Sequence, residues 1–381
     1  MTGQQPAARR RARRLDIDAL LADPQTHIVV TCGSGGVGKT TTAAAMGLRA
    51  AAAGRRTVVL TIDPARRLAQ SMGLTELDNT PRRVKDADGE LFAMMLDMKR
   101  TFDEVVSAHS TPERAAQIFA NPFYQALSSS FAGTQEYMAM EKLSQLAETG
   151  EWDVIVVDTP PSRSALDFLD APQRLGRFLD GRMIRLITMP ARASGRAYLK
   201  VVTAGFTVFA KILSRILGGE LLQDVSSFVA ALETMFGGFR QRAEHTYALL
   251  KAPGTAFVVV AAPEPDALRE ASYFVERLNS DGMPLAGLIV NRVHHCVAGL
   301  TARRAEAAAD ALAEKAEADL ALAEAALRVH VETALAAEHD QRMARRFAAA
   351  HPDVATVAVP ALPTDVHDLD GLRRIGALLS A

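Results

Sequence analysis

The sequence predicts an α/β fold, in which a mostly parallel β-sheet is covered by helices and carries an inserted helical subdomain. Short runs of apolar, largely β-branched residues recur along the chain, as in Ile28–Cys32 and Val154–Val157. Continuous runs of this kind are typical of strands that are buried on both faces of a sheet. Helical segments separate the runs, and two of these segments are too long to be simple crossovers between strands.

Seven segments are predicted strands, and they are continuous runs of apolar or β-branched residues rather than alternating ones. They are Ile28–Cys32, Thr57–Ile62, Leu91–Leu96, Val154–Val157, Ala256–Val260, Leu288–Val290 and Ala355–Val359. A helix is expected directly after the first strand. It begins at Lys39 and runs through an alanine-rich stretch towards Gly54, which is suited to a C-terminal cap.

The long helical segments set the expected domain organisation. Residues 1–24, which include an arginine cluster, are expected to form a disordered basic tail. The sheet-containing core is expected to comprise residues 25–98, 151–162 and 252–381, with a helical hairpin at 302–350. The remaining segments, residues 99–150 and 163–251, are expected to form the helical subdomain.

Composition and charge argue against several classes of function. The 381 residues carry 43 basic and 44 acidic side chains, so we expect no nucleic-acid partner, which would need a clustered basic surface. Cys32 and Cys296 lie far apart and form no CxxC pair, so neither a disulfide scaffold nor a zinc site is expected. With no signal peptide and no long apolar stretch, we expect a cytoplasmic protein with at most peripheral membrane contact.

The segment Gly33-x-x-x-x-Gly38-Lys39-Thr40 fits the phosphate-binding Walker A pattern in full. It lies between a predicted strand and a predicted helix, so backbone N–H groups and the helix N-terminus would face the phosphates. Lys39 is expected to reach the β- and γ-phosphates of ATP, and the Thr40 hydroxyl to ligate Mg²⁺. The core is therefore predicted to be a P-loop NTPase whose loop binds nucleotide through Gly35, Gly36, Val37, Gly38, Lys39, Thr40 and Thr41.

Two aspartates follow predicted strands. Asp158 ends the strand Val154–Val157, which is the Walker B arrangement and predicts a carboxylate near Mg²⁺; an ordinary helix N-cap is the alternative. Asp63 ends another strand and could position or activate the attacking water. Turn initiation before Pro64 is the alternative interpretation of Asp63.

With these segments placed, the chain resembles the arsenite-pump and tail-anchored-protein-targeting ATPases, the ArsA-like branch of P-loop ATPases. The resemblance covers roughly residues 29–378 and is closest to an actinobacterial subgroup. Its motifs are similar to the two family switches, to the helical-domain motif and to a later core segment: Asp63-Pro64-Ala65, Asp158-Thr159-Pro160-Pro161-Ser162, Gly133-Thr134-Gln135-Glu136 and Pro263 to Ala271. Asn291, Pro360 and Ala361 lie where family members contact adenine.

The resemblance implies an ATPase dimer that opens and closes with nucleotide. Asp63 would be its catalytic carboxylate, while Thr40 would bind Mg²⁺ directly and Asp158 would act through water. The helical subdomain would form or cover a surface for a hydrophobic protein client. The arsenite- and zinc-binding cysteines of family members have no counterpart here, so metalloid export is not expected.

Ser34 departs from the family pattern, which usually reads KGGVGKT. The first lysine of that pattern reaches across the dimer to the partner's phosphates, and a serine supplies no cation. We therefore hypothesise a heterodimer with a paralogous ATPase that carries this lysine. The alternative is an ATP-binding regulatory subunit of such a heterodimer that is only weakly active alone.

Other interpretations remain open on sequence. Methionines in the helical segments, such as Met138, Met140 and Met183, suit either core packing or an adaptable client surface. The segment 197–222 suits a groove wall, a lid, a membrane-surface helix or an interior helix. A membrane-positioning or partitioning ATPase is disfavoured by the long helical insertions, and a metabolic kinase by the lack of a visible acceptor site.

Overall fold

The computed structural model describes residues 13–63, 67–121, 124–125, 128, 134–160, 241–242, 244–296, 299–315 and 318–380. Tertiary contacts divide the described residues into two compact units. The first unit contains those within 13–95, 150–160 and 250–380, and the second those within 96–149 and 241–249. The segment 197–222 lies outside the described residues.

The first unit is built on an eight-stranded sheet. Its strands are β1 (Ile28–Cys32), β2 (Thr57–Thr61), β3 (Arg82–Arg83), β4 (Leu91–Met95), β5 (Val154–Asp158), β6 (Thr255–Ala261), β7 (Leu285–Val293) and β8 (Thr356–Pro360). They lie in the order β3-β4-β2-β5-β1-β6-β7-β8. All pairs are parallel except β3 with β4, which confirms the predicted mostly parallel sheet.

Burial explains why the central strands could be predicted. Every residue of β1, β2, β5 and β6 is buried, as expected where helices cover both faces of a parallel sheet. The short edge strand β3 was not predicted, because its two arginines are exposed and pair with β4 only through the backbone. β7 has nine residues rather than the predicted three. At its carboxyl end, the polar residues Asn291 and Arg292 interrupt the apolar pattern on which the prediction relied.

Ten helices are described with defined ends. They are α1 (Ile17–Ala22), α2 (Lys39–Ala52), α3 (Arg67–Ser71), α4 (Met98–Ala108), α5 (Pro112–Ala120), α6 (Thr134–Glu148), α7 (Pro265–Ser280), α8 (Ala302–Ala313), α9 (Ala321–Ala350) and α10 (Leu369–Ser380). The alanine-rich helix α2 packs against the sheet and is buried along most of its length. Helices α8 and α9 pack against each other.

The amino-terminal segment differs from the sequence prediction. A disordered tail was expected up to residue 24, but Leu15 pairs with β8 through a 3.1 Å bond from its backbone N–H to the Thr356 carbonyl. Asp16 then caps α1 by accepting from the N–H of Ala19 at 2.9 Å, and Ile17 is fully buried. The prediction is therefore wrong for residues 13–24, because a few apolar side chains dock on the core; residues 1–12 lie outside the described residues.

The second unit contains the amphipathic helices α4, α5 and α6. Asp97 and Thr111 cap the first two helices through side-chain bonds to backbone N–H groups. Met138 and Met140 on α6 are buried, so the interpretation of these two as a client surface is wrong, whereas Met183 lies outside the described residues. Across the described part of the chain, no helix combines the length and the apolar character needed to cross a membrane.

Candidate functional site

The loop between β1 and α2 is shaped by glycines that no other residue could replace without strain. Gly33 has φ +149°, and a Cβ there would lie 2.1 Å from the Val260 carbonyl oxygen. Gly38 has φ +92° and caps α2, and a Cβ there would lie 2.3 Å from Asn291 Nδ2. The backbone can therefore pass close to two neighbouring strands, which leaves the start of α2 facing a cleft.

The cleft has a volume of about 1170 Å³ and runs along the carboxyl edge of the sheet. Of the residues predicted to bind nucleotide or to catalyse, those that line it are Gly35, Gly36, Gly38, Lys39, Thr40, Thr41, Asp63, Asn291, Pro360 and Ala361. Val37 is not among the lining residues, because its side chain is packed into the core. Its carbonyl oxygen instead accepts a 2.8 Å bond from Asn291 Nδ2.

Lys39 is the first residue of α2 and is almost fully buried. Its Nζ donates to the Ser34 carbonyl oxygen at 2.8 Å, so the lysine side chain folds back along the loop. Burial lowers the pKa of this ammonium group, while the negative charge of Asp158 acts in the opposite direction. The geometry supplies a positive charge at the floor of the cleft, beside the backbone of the loop.

Asp158 is the last residue of β5 and is completely buried behind Thr40. Its Oδ2 accepts bonds from the hydroxyls of Thr40, at 2.7 Å, and Thr61, at 2.9 Å. Its Oδ1 is buried and receives no hydrogen bond from the residues that the structure describes. Burial raises the pKa of this carboxyl to about 6, although the two hydroxyl donors oppose the shift.

This arrangement fits a divalent cation. A threonine hydroxyl that donates to a carboxylate directs its own lone pairs away from that carboxylate, where a hard cation could accept them. A buried carboxylate oxygen without a partner is costly unless charge or hydrogen-bond donors arrive with a ligand. The Thr40 hydroxyl could therefore bind Mg²⁺ directly, and the Asp158 carboxylate buried behind Thr40 could supply negative charge to the same ion. Elsewhere in the described residues, no group of three acidic, histidine or cysteine side chains is arranged to bind a metal.

Asp63 follows β2 at the same edge of the sheet and is partly exposed to the cleft. Its backbone N–H lies 3.2 Å from the Thr61 hydroxyl, which donates to Asp158. Thr61 thus connects the two aspartates that follow neighbouring strands. The sequence reasoning missed Thr61, although a threonine two residues before Asp63 in a buried strand is a usable signal.

The other end of the cleft is formed by the ends of β7 and β8. The pairing of these strands is irregular between Val290 and Val293, and Arg292 adopts φ +59°, which is uncommon outside glycine. Such a bulge redirects the side chains around it, and here Asn291 reaches the phosphate loop. Beyond the bulge, the N–H of Ala361 donates to the Val293 carbonyl at 2.9 Å.

Comparison with known proteins adds an independent finding. The sequence profile of the anion-transporting ATPases, the ArsA ATPase family, matches residues 26–298, which is more than half of the chain.

The chain belongs to the ArsA ATPase family.

Individual relatives in this family are distant. ATPase ARSA1 of Chlamydomonas reinhardtii is 25% identical over 303 residues, which cover 72% of this chain and 36% of that protein. ATPase GET3C of Arabidopsis thaliana is 25% identical over 280 residues, covering 68% of this chain and 65% of the relative. ATPase GET3 of Malassezia globosa is 25% identical over 271 residues, covering 68% and 71%. The matches therefore span between 36% and 71% of the length of these ATPases.

Two further cleft residues of this ArsA ATPase were missed by sequence reasoning. His294 and Asp340 both line the cleft, and the backbone N–H of His294 donates to the Asp340 carboxylate at 2.8 Å. His294 follows Asn291 by three residues, which is a local signal. Asp340 lies within α9 and is far away in sequence, so only the tertiary fold brings it to the site.

Proposed function

We propose that this protein binds ATP with Mg²⁺ in the cleft and hydrolyses it. The observation that carries the proposal is the buried Asp158 carboxylate, which accepts from Thr40 at the start of the phosphate-loop helix and has one oxygen without a described partner. Membership of an ATPase family supports the same conclusion. Mg²⁺ would supply charge neutralisation at the β- and γ-phosphates.

Each predicted site residue has a role in this proposal. The backbone of the loop from Gly35 to Gly38, with Thr41, cradles the phosphates, and Lys39 neutralises their charge. Asp63 orients and deprotonates the attacking water, since it is a partly exposed carboxylate that lines the cleft directly after β2. Pro360 and Ala361 contact the nucleobase on the β8 side of the cleft, and Asn291 contacts it from beside the phosphate loop.

The metal part of this proposal can be tested by calorimetry with a non-hydrolysable ATP analogue, with and without Mg²⁺. Wild-type protein should bind the analogue at least about tenfold more tightly with Mg²⁺ present, a gain of about 1.4 kcal/mol. Thr40→Val removes the hydroxyl and should abolish this gain. The matched control is Thr42→Val, because Thr42 is buried in the same helix and does not line the cleft. A Thr40→Val protein that keeps the full Mg²⁺ effect would contradict the proposal.

We infer further that ATP turnover drives the opening and closing of a dimer, as the family resemblance implies. Ser34 supports a heterodimer with a paralogue that carries the missing lysine. Its hydroxyl is buried, and its carbonyl accepts from Lys39 of the same chain, so this position presents no cation to a partner. The second candidate function, an ATP-binding regulatory subunit that is weakly active alone, rests on the same observation.

We propose that the nucleotide cycle serves to bind and release a hydrophobic protein client in the cytoplasm. The support is the family resemblance, together with a separate helical unit inserted into the ATPase core. Proteins that co-purify with the ATP-bound Asp63→Asn variant would identify the client. Recovery of the same proteins with a Lys39→Ala variant, which should not hold nucleotide, would count against a nucleotide-dependent client.

A further inference from the structure

A histidine–aspartate pair lies at the β7 and β8 end of the cleft. Asp340 is 5% exposed, and its Oδ2 lies 2.8 Å from both the backbone nitrogen and the ring Nδ1 of His294. An ionised carboxylate can only accept hydrogen bonds, so Nδ1 must carry the ring proton. In the neutral ring, Nε2 is then left as a hydrogen-bond acceptor.

The Nε2 atom of His294 is available to a ligand. The side chain of His294 is 55% exposed and borders the cleft. The hydrogen bonds of the ring among the described residues involve Nδ1 alone. Asp340 therefore fixes the orientation and the tautomer of a ring that is half exposed beside the cleft.

The strand order places a nucleobase near this pair. Asp158 and Asp63 follow β5 and β2, which lie on one side of β1, whereas β6, β7 and β8 lie on the other side. Neighbouring strands are about 4.8 Å apart, so the end of β8 lies about 14 Å from the end of β1, roughly the length of a nucleotide. The β8 side of the cleft also carries the apolar residues Leu362, Val366 and Ile375, which suit a purine ring.

We propose that His294, held by Asp340, makes the site select a 6-aminopurine over a 6-oxopurine. The acceptor Nε2 suits the exocyclic amino group of adenine, which is a donor. A 6-oxo group is itself an acceptor and would face Nε2 without a proton between them. This inference rests on the proposed function and adds the residue pair that determines base specificity.

The test compares the affinities of ADP and inosine diphosphate, which share the ribose and phosphates and differ at position 6 and in the proton on N1. Affinities are measured by calorimetry near pH 8, where imidazoles are normally neutral. His294→Phe keeps a ring but removes the acceptor, and the matched control is His295→Phe, because His295 is exposed and does not line the cleft. Asp340→Ala is the second variant, because it removes the oxygen that holds both the backbone N–H and the Nδ1–H of His294.

Wild-type protein and His295→Phe should prefer ADP by about tenfold or more, the size expected for a mismatched hydrogen-bond partner. His294→Phe should bring the ratio close to one, and Asp340→Ala should lower it, because the ring is then no longer fixed with its proton on Nδ1. ADP binding with an unchanged ratio in both variants would overturn the inference, because a pair that only fastens α9 to β7 would alter stability and not the ratio. Failure of wild-type protein to bind either nucleotide would instead contradict the proposed function.

Discussion

Single side chains around Asp158 determine the chemistry of the cleft. The two threonine hydroxyls hold one carboxylate oxygen, and burial of the whole group raises its pKa to about 6. Thr61 also lies within hydrogen-bond distance of the Asp63 backbone N–H. A change at the proposed Mg²⁺ position can thus reach the segment that carries Asp63 through one hydroxyl group.

The raised pKa of Asp158 predicts a specific dependence of stability on pH. Between about pH 4 and pH 6 the folded state keeps a proton that the unfolded state releases, so the stability from this group is present below pH 4 and is lost as the pH rises through 6. The total effect is up to about 3 kcal/mol, since one pKa unit corresponds to about 1.4 kcal/mol. The Asp158→Asn variant should lack this contribution.

Urea unfolding of the nucleotide-free protein measures this effect. Trp152 is the single tryptophan of the chain and lies next to β5, so its fluorescence reports on the first unit. The unfolding free energy of wild type minus that of Asp158→Asn should fall as the pH is raised from 4 to 7. A difference that stays flat or increases over this range would show that the carboxyl is not held in its protonated form by burial.

The sequence was informative for those site residues whose roles depend on the local chain. The phosphate loop, Asp63 and Asp158 could be placed at the carboxyl edge of the sheet because each stands at or just after the end of a recognisable buried strand. Asp340 could not be placed, since its position depends on how α9 packs beside β7. Thr61 was overlooked because a threonine inside a buried strand is also an ordinary strand former.

Among the elements, α1 shows how a short segment can be overlooked. It has six residues and follows an arginine cluster, which favours the interpretation as a solvated tail. Its anchoring comes from Leu15, Ile17 and Leu21, which are buried in the core of the first unit, and from an ion pair between Asp18 and Arg49 of α2. Strands with continuous apolar runs were predicted well, whereas the exposed strand β3 depends on a neighbour that no local pattern reveals.

Because α1 packs against the core, truncating its buried side chains should lower the free energy of unfolding. Ile17→Ala deletes a fully buried side chain and should lower the free energy of unfolding by about 2–5 kcal/mol. Leu20→Ala on the same helix is the matched control and should cost clearly less, because Leu20 is only partly buried. Trp152 fluorescence in urea measures both changes. Equal, small effects would mean that α1 is not held against the core.

At the scale of the whole molecule, the proposed heterodimer depends on Ser34, which stands where the family pattern has a lysine. If the missing lysine limits turnover, then Ser34→Lys should raise the ATPase rate of the chain alone by at least about tenfold, since a cation supplied in trans is worth several orders of magnitude in related phosphoryl transfer. Ser34→Ala is the matched control and should not raise the rate. The heterodimer hypothesis fails if only a homodimer with full activity is recovered from the native host, or if Ser34→Lys is no faster than Ser34→Ala.

We propose that ATP hydrolysis in the cleft depends on the carboxylate of Asp63. The most direct test of this proposal is the rate of phosphate release from Mg²⁺–ATP by wild type and Asp63→Asn, with ATP binding measured in parallel. We expect Mg²⁺-dependent release by the wild type, and a rate lowered by at least about a hundredfold in Asp63→Asn, which should still bind ATP. Release by Asp63→Asn at the wild-type rate would contradict the proposal.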